Sequence, residues 1–153
     1  MNSASFINDV NGSFVFSAVG TVTGSLGVQM VNRGLITGQS ASAQSRVLVD
    51  FQNYGSIVVA QGTLAVAAGT NWNTISVQSG AILSVDSPSD GVVASYFFDR
   101  SSKVTVAGQL LLNSGSLIVS STYDASGGRT TVVSGTLDVR YALSLSLYST
   151  FVL

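Results

Sequence analysis

The sequence predicts an all-β fold: a right-handed parallel β-helix (a β-solenoid) of about six or seven irregular rungs, forming a single domain over residues 1–153. Three observations predict it: a composition that favours strands, short segments that alternate apolar and polar residues, and a phrase that recurs about every 20 residues. Because neighbouring parallel strands lie about 4.8 Å apart, the rungs would stack into a rod roughly 30 Å long.

The composition is that of a strand-and-turn protein. The 153 residues include 22 Val, 26 Ser, 12 Thr and 16 Gly, whereas Glu, His and Cys are absent and lysine occurs once, at Lys103. β-Branched residues favour strands, glycine and serine favour turns, and the strong helix formers are nearly missing. This composition favours an all-β chain.

A corner phrase recurs along the chain, in which a small turn residue is followed by an apolar-x-apolar run. The turn residue falls at Gly12, Gly34, Gly55 and Asn73, and the phrase occupies residues 11–16, 32–36, 53–59, 71–77 and 113–119. Glycine and asparagine adopt positive φ at little cost, so each copy is expected to mark a corner of the chain.

A second phrase joins two alternating segments through a glycine, at residues 57–66, 75–85, 104–112 and 130–139. Alternation sends one set of side chains inward and the other outward. The phrase runs in the same direction each time, as in a solenoid, and without the paired two-residue turns of hairpins. Parallel crossovers are right-handed in nearly all cases, which gives the predicted hand. The side chains predicted to be buried are Ile57, Val59, Leu64, Val66, Ile75, Val77, Leu83 and Val85.

Three polar passages interrupt the alternation. Residues 86–99 hold the only proline and also an apolar run at 96–98, so they predict a rung with an excursion. Residues 120–128 predict a loop or a wide corner, and residues 32–44, rich in Ser, Gly and Gln, predict a further excursion. No shift in composition indicates a domain boundary.

The absent residue types exclude several functions. Without His or Cys the chain has no usual zinc site, no Ser-His or Cys-His nucleophile pair and no haem ligand set. A net charge of −1 argues against nucleic acid as a partner. No apolar run approaches the roughly 18 residues of a membrane helix, which argues against membrane insertion. The aspartates show no paired spacing for acid–base chemistry, so we expect a protein that is not an enzyme.

Two groups of residues are candidate binding sites. Tyr54 and Trp72 each precede a corner and lie 18 positions apart, so the repeat places them on neighbouring rungs. They could form a stacking platform for a sugar, or they could stack on each other and stiffen the corner. Asp86, Asp90 and Asp99 surround the 86–99 excursion and could hold Ca²⁺, although Asp-Ser-Pro and Asp-Gly are also ordinary turn formers. No other cofactor is expected.

Two stretches resemble a known class of protein. Residues 50–66 (DFQNYGSIVVAQGTLAV) and 121–137 (STYDASGGRTTVVSGTL) are similar to repeat units of large surface proteins, the stalks of autotransporter passengers and filamentous-haemagglutinin-like adhesins. The resemblance implies a right-handed β-helix displayed outside the cell or on its surface, with a structural or adhesive role and no shared catalytic residue. The alternative is a carbohydrate-binding or carbohydrate-cleaving β-helix, for which a surface glycan would be the partner.

The ends and the outward positions suggest further partners. The alternating segment 141–148 is followed by the apolar residues 151–153, without a charged or proline-bearing cap, so we expect a fragment of a longer repetitive protein or a last strand covered by another chain. Several large apolar residues fall in slots that the alternation predicts to be outward, which favours a homo-oligomer (a dimer or trimer) or flanking repeats. These residues are Met30, Leu48, Val93, Leu111 and Ile118.

Overall fold

The computed structural model is an all-β parallel solenoid of about six turns, as predicted. The structure describes residues 4–24, 27–87 and 95–147, and within these ranges it contains sixteen β-strands and no helix. Every strand pairing among them is parallel and joins one turn to the next. The strands form three faces, which we number 1 to 3 in the order in which the chain visits them.

Face 1 carries the first strand of each turn, and its members pair from one turn to the next. Two long strands, β5 (Leu35–Asn53) and β6 (Ser56–Asn71), bend through the corners and contribute to all three faces. The face comprises β1 (Ser5–Asn8), β4 (Gln29–Asn32), the ends of β5 and β6, β9 (Ser95–Phe98), β12 (Ser116–Val119) and β15 (Thr136–Asp138).

Faces 2 and 3 are built in the same way. Face 2 comprises β2 (Ser13–Phe16), the starts of β5 and β6, β7 (Thr74–Val77), β10 (Lys103–Val106), β13 (Thr122–Ala125) and β16 (Ser144–Leu147). Face 3 comprises β3 (Thr21–Val22), the middles of β5 and β6, β8 (Ile82–Val85), β11 (Gln109–Leu112) and β14 (Arg129–Val132).

The core consists of inward side chains stacked in columns along the solenoid axis. Leu64 lies beneath Leu83 and Leu110 on face 3, and Ile57 lies beneath Ile75 and Val104 on face 2. The burial predicted for the two glycine-linked segments is confirmed for all eight side chains, each of which is at most 1% exposed: Ile57, Val59, Leu64, Val66, Ile75, Val77, Leu83 and Val85.

One outward assignment is wrong. Met30 is fully buried, because β4 pairs with the end of β5 in a register that places Met30 beneath the inward Phe51. Leu48, Leu111 and Ile118 are only partly buried, as expected of outward positions. Val93 lies outside the described residues.

The corners occur where the phrases predict, but the phrases do not always mark the same corner. The copy at residues 113–119 leads into β12, and the copy at 130–139 leads from β14 into β15, so both turn from face 3 to face 1. The sequence pattern groups them with copies that enter or leave face 2, and this grouping is wrong. The error arises because each kind of corner needs a small residue.

Close approach of the backbone explains the glycines between faces 1 and 2. Gly12, Gly34 and Gly55 are not among the glycines with positive φ, and no other residue type in the described chain has positive φ. A Cβ atom on Gly34 would overlap the carbonyl oxygen of Gly12, and one on Gly55 would overlap that of Gly34. Conformational freedom is therefore the wrong explanation for Gly34 and Gly55, where the backbone of the turn below leaves no room for a side chain, whereas Asn73 carries one at the same corner on the next turn.

Four buried asparagines, Asn8, Asn32, Asn53 and Asn71, form a ladder of side-chain hydrogen bonds inside the same corner. Asn8 donates to Asn32 (Nδ2 to Oδ1, 2.7 Å), Asn32 donates to Asn53 (2.6 Å), and Asn53 donates to Asn71. The four side chains are at most 7% exposed, and on the next turn Phe98 takes the equivalent position. The ladder satisfies buried polar groups on four successive turns.

Two polar passages belong to strands. Residues 122–125 form β13, in which Tyr123 is buried and its hydroxyl lies 2.7 Å from the Thr130 hydroxyl, so the prediction of a loop or a wide corner is wrong for these four residues. Residues 126–128 do form a corner, between β13 and β14. Residues 35–44 lie within β5, where the register against β6 shifts between Gln39 and Gln44. The predicted rung at 96–98 is strand β9, whereas residues 88–94 of its excursion lie outside the described residues.

Candidate ligand-binding corner

The corner between faces 1 and 2 carries the predicted aromatic pair. On the first four turns the face 1 strand ends at an asparagine of the ladder, and the residues that follow form a vertical series of Asp9, Arg33, Tyr54 and Trp72, which Asp99 continues after Phe98 on the fifth turn. The backbone fixes this series, because the Tyr54 N–H donates to the Asn32 carbonyl (2.7 Å) and the Trp72 N–H donates to the Asn53 carbonyl (2.8 Å). Side chains separated by 18 or more residues therefore become vertical neighbours.

Tyr54 and Trp72 lie on neighbouring turns and stack on each other, as the spacing predicted. Their ring centroids are 4.4 Å apart and their planes differ by 3°. That separation is close to the spacing of the turns, so the ring faces look along the solenoid axis and the edges face solvent. One face of each ring is covered by its partner. The two rings therefore stack on each other and do not present a flat two-ring platform to solvent.

Two longer turns project above and below this pair. Residues 9–12 connect β1 to β2 and residues 99–102 connect β9 to β10, whereas only two residues make the corner on each of the three turns between them. Hydrogen bonds close both longer turns, from Gly12 N–H to the Asp9 carbonyl (2.7 Å) and from Ser102 N–H to the Asp99 carbonyl (2.9 Å). We call them the lower ledge (residues 9–12) and the upper ledge (residues 99–102). The aromatic pair sits in the recess between them.

The upper ledge is tied to Trp72. The Ser101 hydroxyl lies 2.9 Å from the Trp72 carbonyl oxygen and 2.8 Å from the Asp99 carboxylate. The Ser101 backbone N–H also donates to Asp99 (3.0 Å), and this bond is the main reason that the pKa of Asp99 is lowered below its ordinary value. Asp99 is therefore ionised at neutral pH, and its carboxylate serves as the acceptor that shapes the ledge.

Asp86 lies at a different corner. It follows β8 at the turn from face 3 to face 1, whereas Asp99 follows β9 at the far end of face 1. The buried Asp86 carboxylate accepts hydrogen bonds from Ser84 (2.6 Å) and Gln44 (3.1 Å) and faces the Arg46 guanidinium at 3.9 Å. Its oxygens are thus engaged by donors of the chain itself.

The structure does not bring the predicted calcium ligands together as far as it describes them. Asp86 and Asp99 are separated by the length of strand β9, and Asp90 lies outside the described residues. Among residues 4–24, 27–87 and 95–147, no group of three or more acidic side chains is placed to share a metal ion. Calcium binding stays a prediction.

Sequence reasoning missed the lower part of the corner. Val10, 68% exposed, and Arg33 line a groove with Tyr54, and an adjoining groove continues past Asn11 and Ser13 to Asn73. The signal that could have found them is the length of the first corner, since residues 9–12 exceed the two residues found at the next three turns. A longer corner must project from a stack of short ones.

No helix in the described ranges is long and apolar enough to cross a membrane. Comparison of the chain with protein-family models, with curated proteins and with solved structures found no match.

Proposed function

We propose that this chain is a structural, non-catalytic segment of a fibre or adhesin that is displayed on the cell surface or outside the cell. The observation that carries the proposal is the continuity of the solenoid along its axis. Three parallel ladders of backbone hydrogen bonds connect every turn to the next, and the asparagine ladder adds a fourth series inside the corner between faces 1 and 2. A rod connected in this way suits the transmission of force along its length.

The outer surface supports the same role. The outward positions of face 2 run Val15, Thr37, Val58, Ser76, Thr105, Asp124 and Ser146 up the rod. The described residues contain two ion pairs, Arg46–Asp86 and Arg140–Asp138. Such a largely uncharged surface provides little electrostatic attraction for a charged polymer such as nucleic acid.

The single lysine permits a direct test of the proposed location. Lys103 is exposed at the start of β10, so a membrane-impermeant amine reagent should modify it on intact source cells. We expect the peptide that contains Lys103 to be labelled before lysis, while cytoplasmic control proteins stay unlabelled. Labelling of this peptide only after lysis would refute the extracellular location.

We further propose that the solenoid packs against another copy of itself or against flanking repeats. Apart from Val10, Leu35 and Tyr54 at the candidate ligand-binding corner, the large apolar side chains that remain exposed among the described residues lie toward the two ends of the solenoid: Phe6, Ile7, Val15 and Val19 at one end, and Val133, Tyr141, Leu143 and Leu145 at the other. Apolar clusters of this kind usually mark interfaces. Sedimentation at micromolar concentration should show self-association, and a persistent monomer would refute the self-associating form of the proposal.

A further inference from the structure

We propose that the groove beneath Tyr54 is a binding site for one acidic sugar ring, a pyranose that carries a carboxylate. The site lies between the lower ledge and the aromatic pair, and Val10, Arg33 and Tyr54 line it. This inference does not depend on the scaffold role, because a stalk can carry a ligand site on one corner without any change in its core.

The first argument is an unfilled layer in the aromatic stack. Trp72 covers the upper face of Tyr54, and the next position down the corner belongs to Arg33. The Arg33 guanidinium does not lie over the Tyr54 ring, since the one cation–ring contact in the described chain is Arg140 over Tyr141. Tyr54 is 49% exposed. Its lower face is thus available to a ring that would continue the stack.

The second argument is the height of the gap. The backbone of the lower ledge belongs to the first turn and Tyr54 to the third, so two turn spacings, roughly 10 Å, separate them. Stacked rings on this corner follow the turn spacing, as the 4.4 Å between Tyr54 and Trp72 shows. The gap therefore holds one ring layer, with Val10 below it and Tyr54 above it. A pyranose can place its C–H face against the electron-rich tyrosine ring.

The third argument concerns charge and hydrogen bonding. Arg33 is exposed and makes no ion pair in the described chain, whose two ion pairs use Arg46 and Arg140. It is the only charged side chain that lines either groove, and its guanidinium is suited to a bidentate bond with a carboxylate. Asp9 begins the ledge, but its Oδ1 accepts from the Val10 N–H (2.8 Å) and the residue lines neither groove.

Neutral polar groups surround this cation. The adjoining groove shares Val10 and Arg33 with the first and adds Asn11, Ser13, Ser56 and Asn73, and each groove is an open surface depression of about 530 Å³. Amides and hydroxyls are the usual partners of sugar hydroxyls, and a small number of them around an apolar surface is typical of a ligand site. If a sugar ring stacks on Tyr54 and its carboxylate binds Arg33, its hydroxyl groups face these amides and hydroxyls.

The test compares acidic sugars with matched neutral ones. Trigalacturonate, 3′-sialyllactose and a hyaluronan tetrasaccharide are titrated into the protein, and binding is followed by NMR. Their neutral counterparts are methyl-esterified trigalacturonate, lactose and the methyl-esterified hyaluronan tetrasaccharide. At least one acidic probe should bind with a dissociation constant of about 1 mM or tighter. Its neutral counterpart should bind at least about tenfold more weakly, and resonances at Val10 and Tyr54 should shift.

Variants locate the site. Arg33→Ala and Tyr54→Leu should each weaken binding about tenfold or more, the leucine retaining apolar bulk without a ring face. Arg100→Ala and Tyr141→Ala remove an exposed arginine and an exposed tyrosine that line neither groove, and they should bind within about twofold of wild type. Circular dichroism confirms that each variant is folded. Absence of binding by all three acidic probes, equal binding of neutral probes, or unchanged binding by Arg33→Ala would overturn the proposal.

Discussion

Removing one amide from the asparagine ladder should destabilise the solenoid far more than a surface substitution. Asn53 is fully buried and takes part in three hydrogen bonds: its Nδ2 donates to Asn71 Oδ1 and to the Gly55 carbonyl (3.0 Å), and its Oδ1 accepts from Asn32 (2.6 Å). Asn53→Ala removes all three and leaves the partner groups in the interior. We therefore expect a large loss of folding free energy.

The magnitude follows from the groups that lose a partner. A net hydrogen bond contributes about 1 kcal/mol, and a buried polar group without a partner costs about 1–3 kcal/mol. Asn32 Nδ2 retains contacts with the Gly34 and Ser56 carbonyls at 3.3 Å, so its loss is partial. Asn71 Oδ1 and the Gly55 carbonyl lose the amide that bonded them. The sum is about 3–5 kcal/mol.

The matched control is Asn8→Ala, at the first rung of the same ladder. Asn8 donates to Asn32 (2.7 Å) and to the Leu35 carbonyl (3.0 Å) and receives no ladder bond among the described residues. Its removal leaves the buried Asn32 Oδ1 without a donor, whereas the Leu35 carbonyl belongs to an exposed residue, so it should cost about 1–3 kcal/mol, less than Asn53→Ala. Urea unfolding followed by circular dichroism measures both free energies of unfolding. The slope of the free energy against urea concentration (the m-value) should be the same in both variants and the wild type. A cost below about 1 kcal/mol for Asn53→Ala, or equal costs at the two positions, would refute the ladder argument.

Three further outcomes are expected. Leu64→Ala should lower the free energy of unfolding by about 2–5 kcal/mol, because Leu64 is fully buried beneath Leu83; a urea midpoint close to wild type would contradict the stacked core. Tyr96→Phe should raise stability by about 1 kcal/mol, since the buried Tyr96 hydroxyl has no hydrogen-bond partner among the described residues and its burial raises the pKa of that hydroxyl. A lower melting temperature for this variant would show that the hydroxyl is satisfied. Asp138 should titrate near pH 2 by NMR, because hydrogen bonds from Arg140 lower its pKa to about 2 from 3.8. Its contribution to stability is therefore present above about pH 4 and is lost as the pH falls toward 2, and an unchanged titration in Arg140→Ala would refute this cause.

The parts of the fold that the sequence predicts are those set by periodicity. Alternation of period two fixes which side of a strand faces inward, so the stack from Ile57 to Val85 is predicted correctly. The vertical contact of Tyr54 and Trp72 follows for a similar reason, because residues that precede equivalent corners must lie on neighbouring turns. The local sequence pattern therefore predicts burial and vertical contacts wherever equivalent corners of successive turns can be identified.

Most errors of the sequence analysis arise where the same residue type serves different positions in the fold. A small residue is required at every corner, so the phrase at 113–119 resembles the one at 53–59 although it enters face 1. Met30 is misassigned since no unambiguous alternation surrounds it. Polar composition hides strand β13, in which one buried tyrosine and an alanine supply the inward side. The ladder is missed because a corner asparagine is ordinarily explained by turn formation, although its recurrence at intervals of 24, 21 and 18 residues is visible.

The candidate calcium ligands show what sequence cannot supply. Asp86 and Asp99 are close along the chain, but a complete strand crosses face 1 between them and leads them to opposite corners. Conversely, Val10, Arg33 and Tyr54 are 44 residues apart at the extremes and share one groove. Two residues of a solenoid are neighbours when they occupy the same position around the axis on adjacent turns. To predict that position from the sequence, the number of residues in every corner must be known.

The asparagine ladder has a consequence for how the chain finds its correct winding. Identical amides on four consecutive turns set the angular phase of each turn, but they would accept a neighbour displaced by one whole turn equally well. The pairing of each turn with its correct neighbour must therefore be specified by residues that differ from turn to turn. Gly69 is one, because it lies between Phe51 and Tyr96 in the ladder and a Cβ there would overlap the Phe51 backbone, while the rings of Phe51 and Tyr96 meet across it with centroids 6.5 Å apart. A chain wound one turn out of step would place a second side chain in that gap or leave it empty, so phase and count are encoded by separate sets of residues.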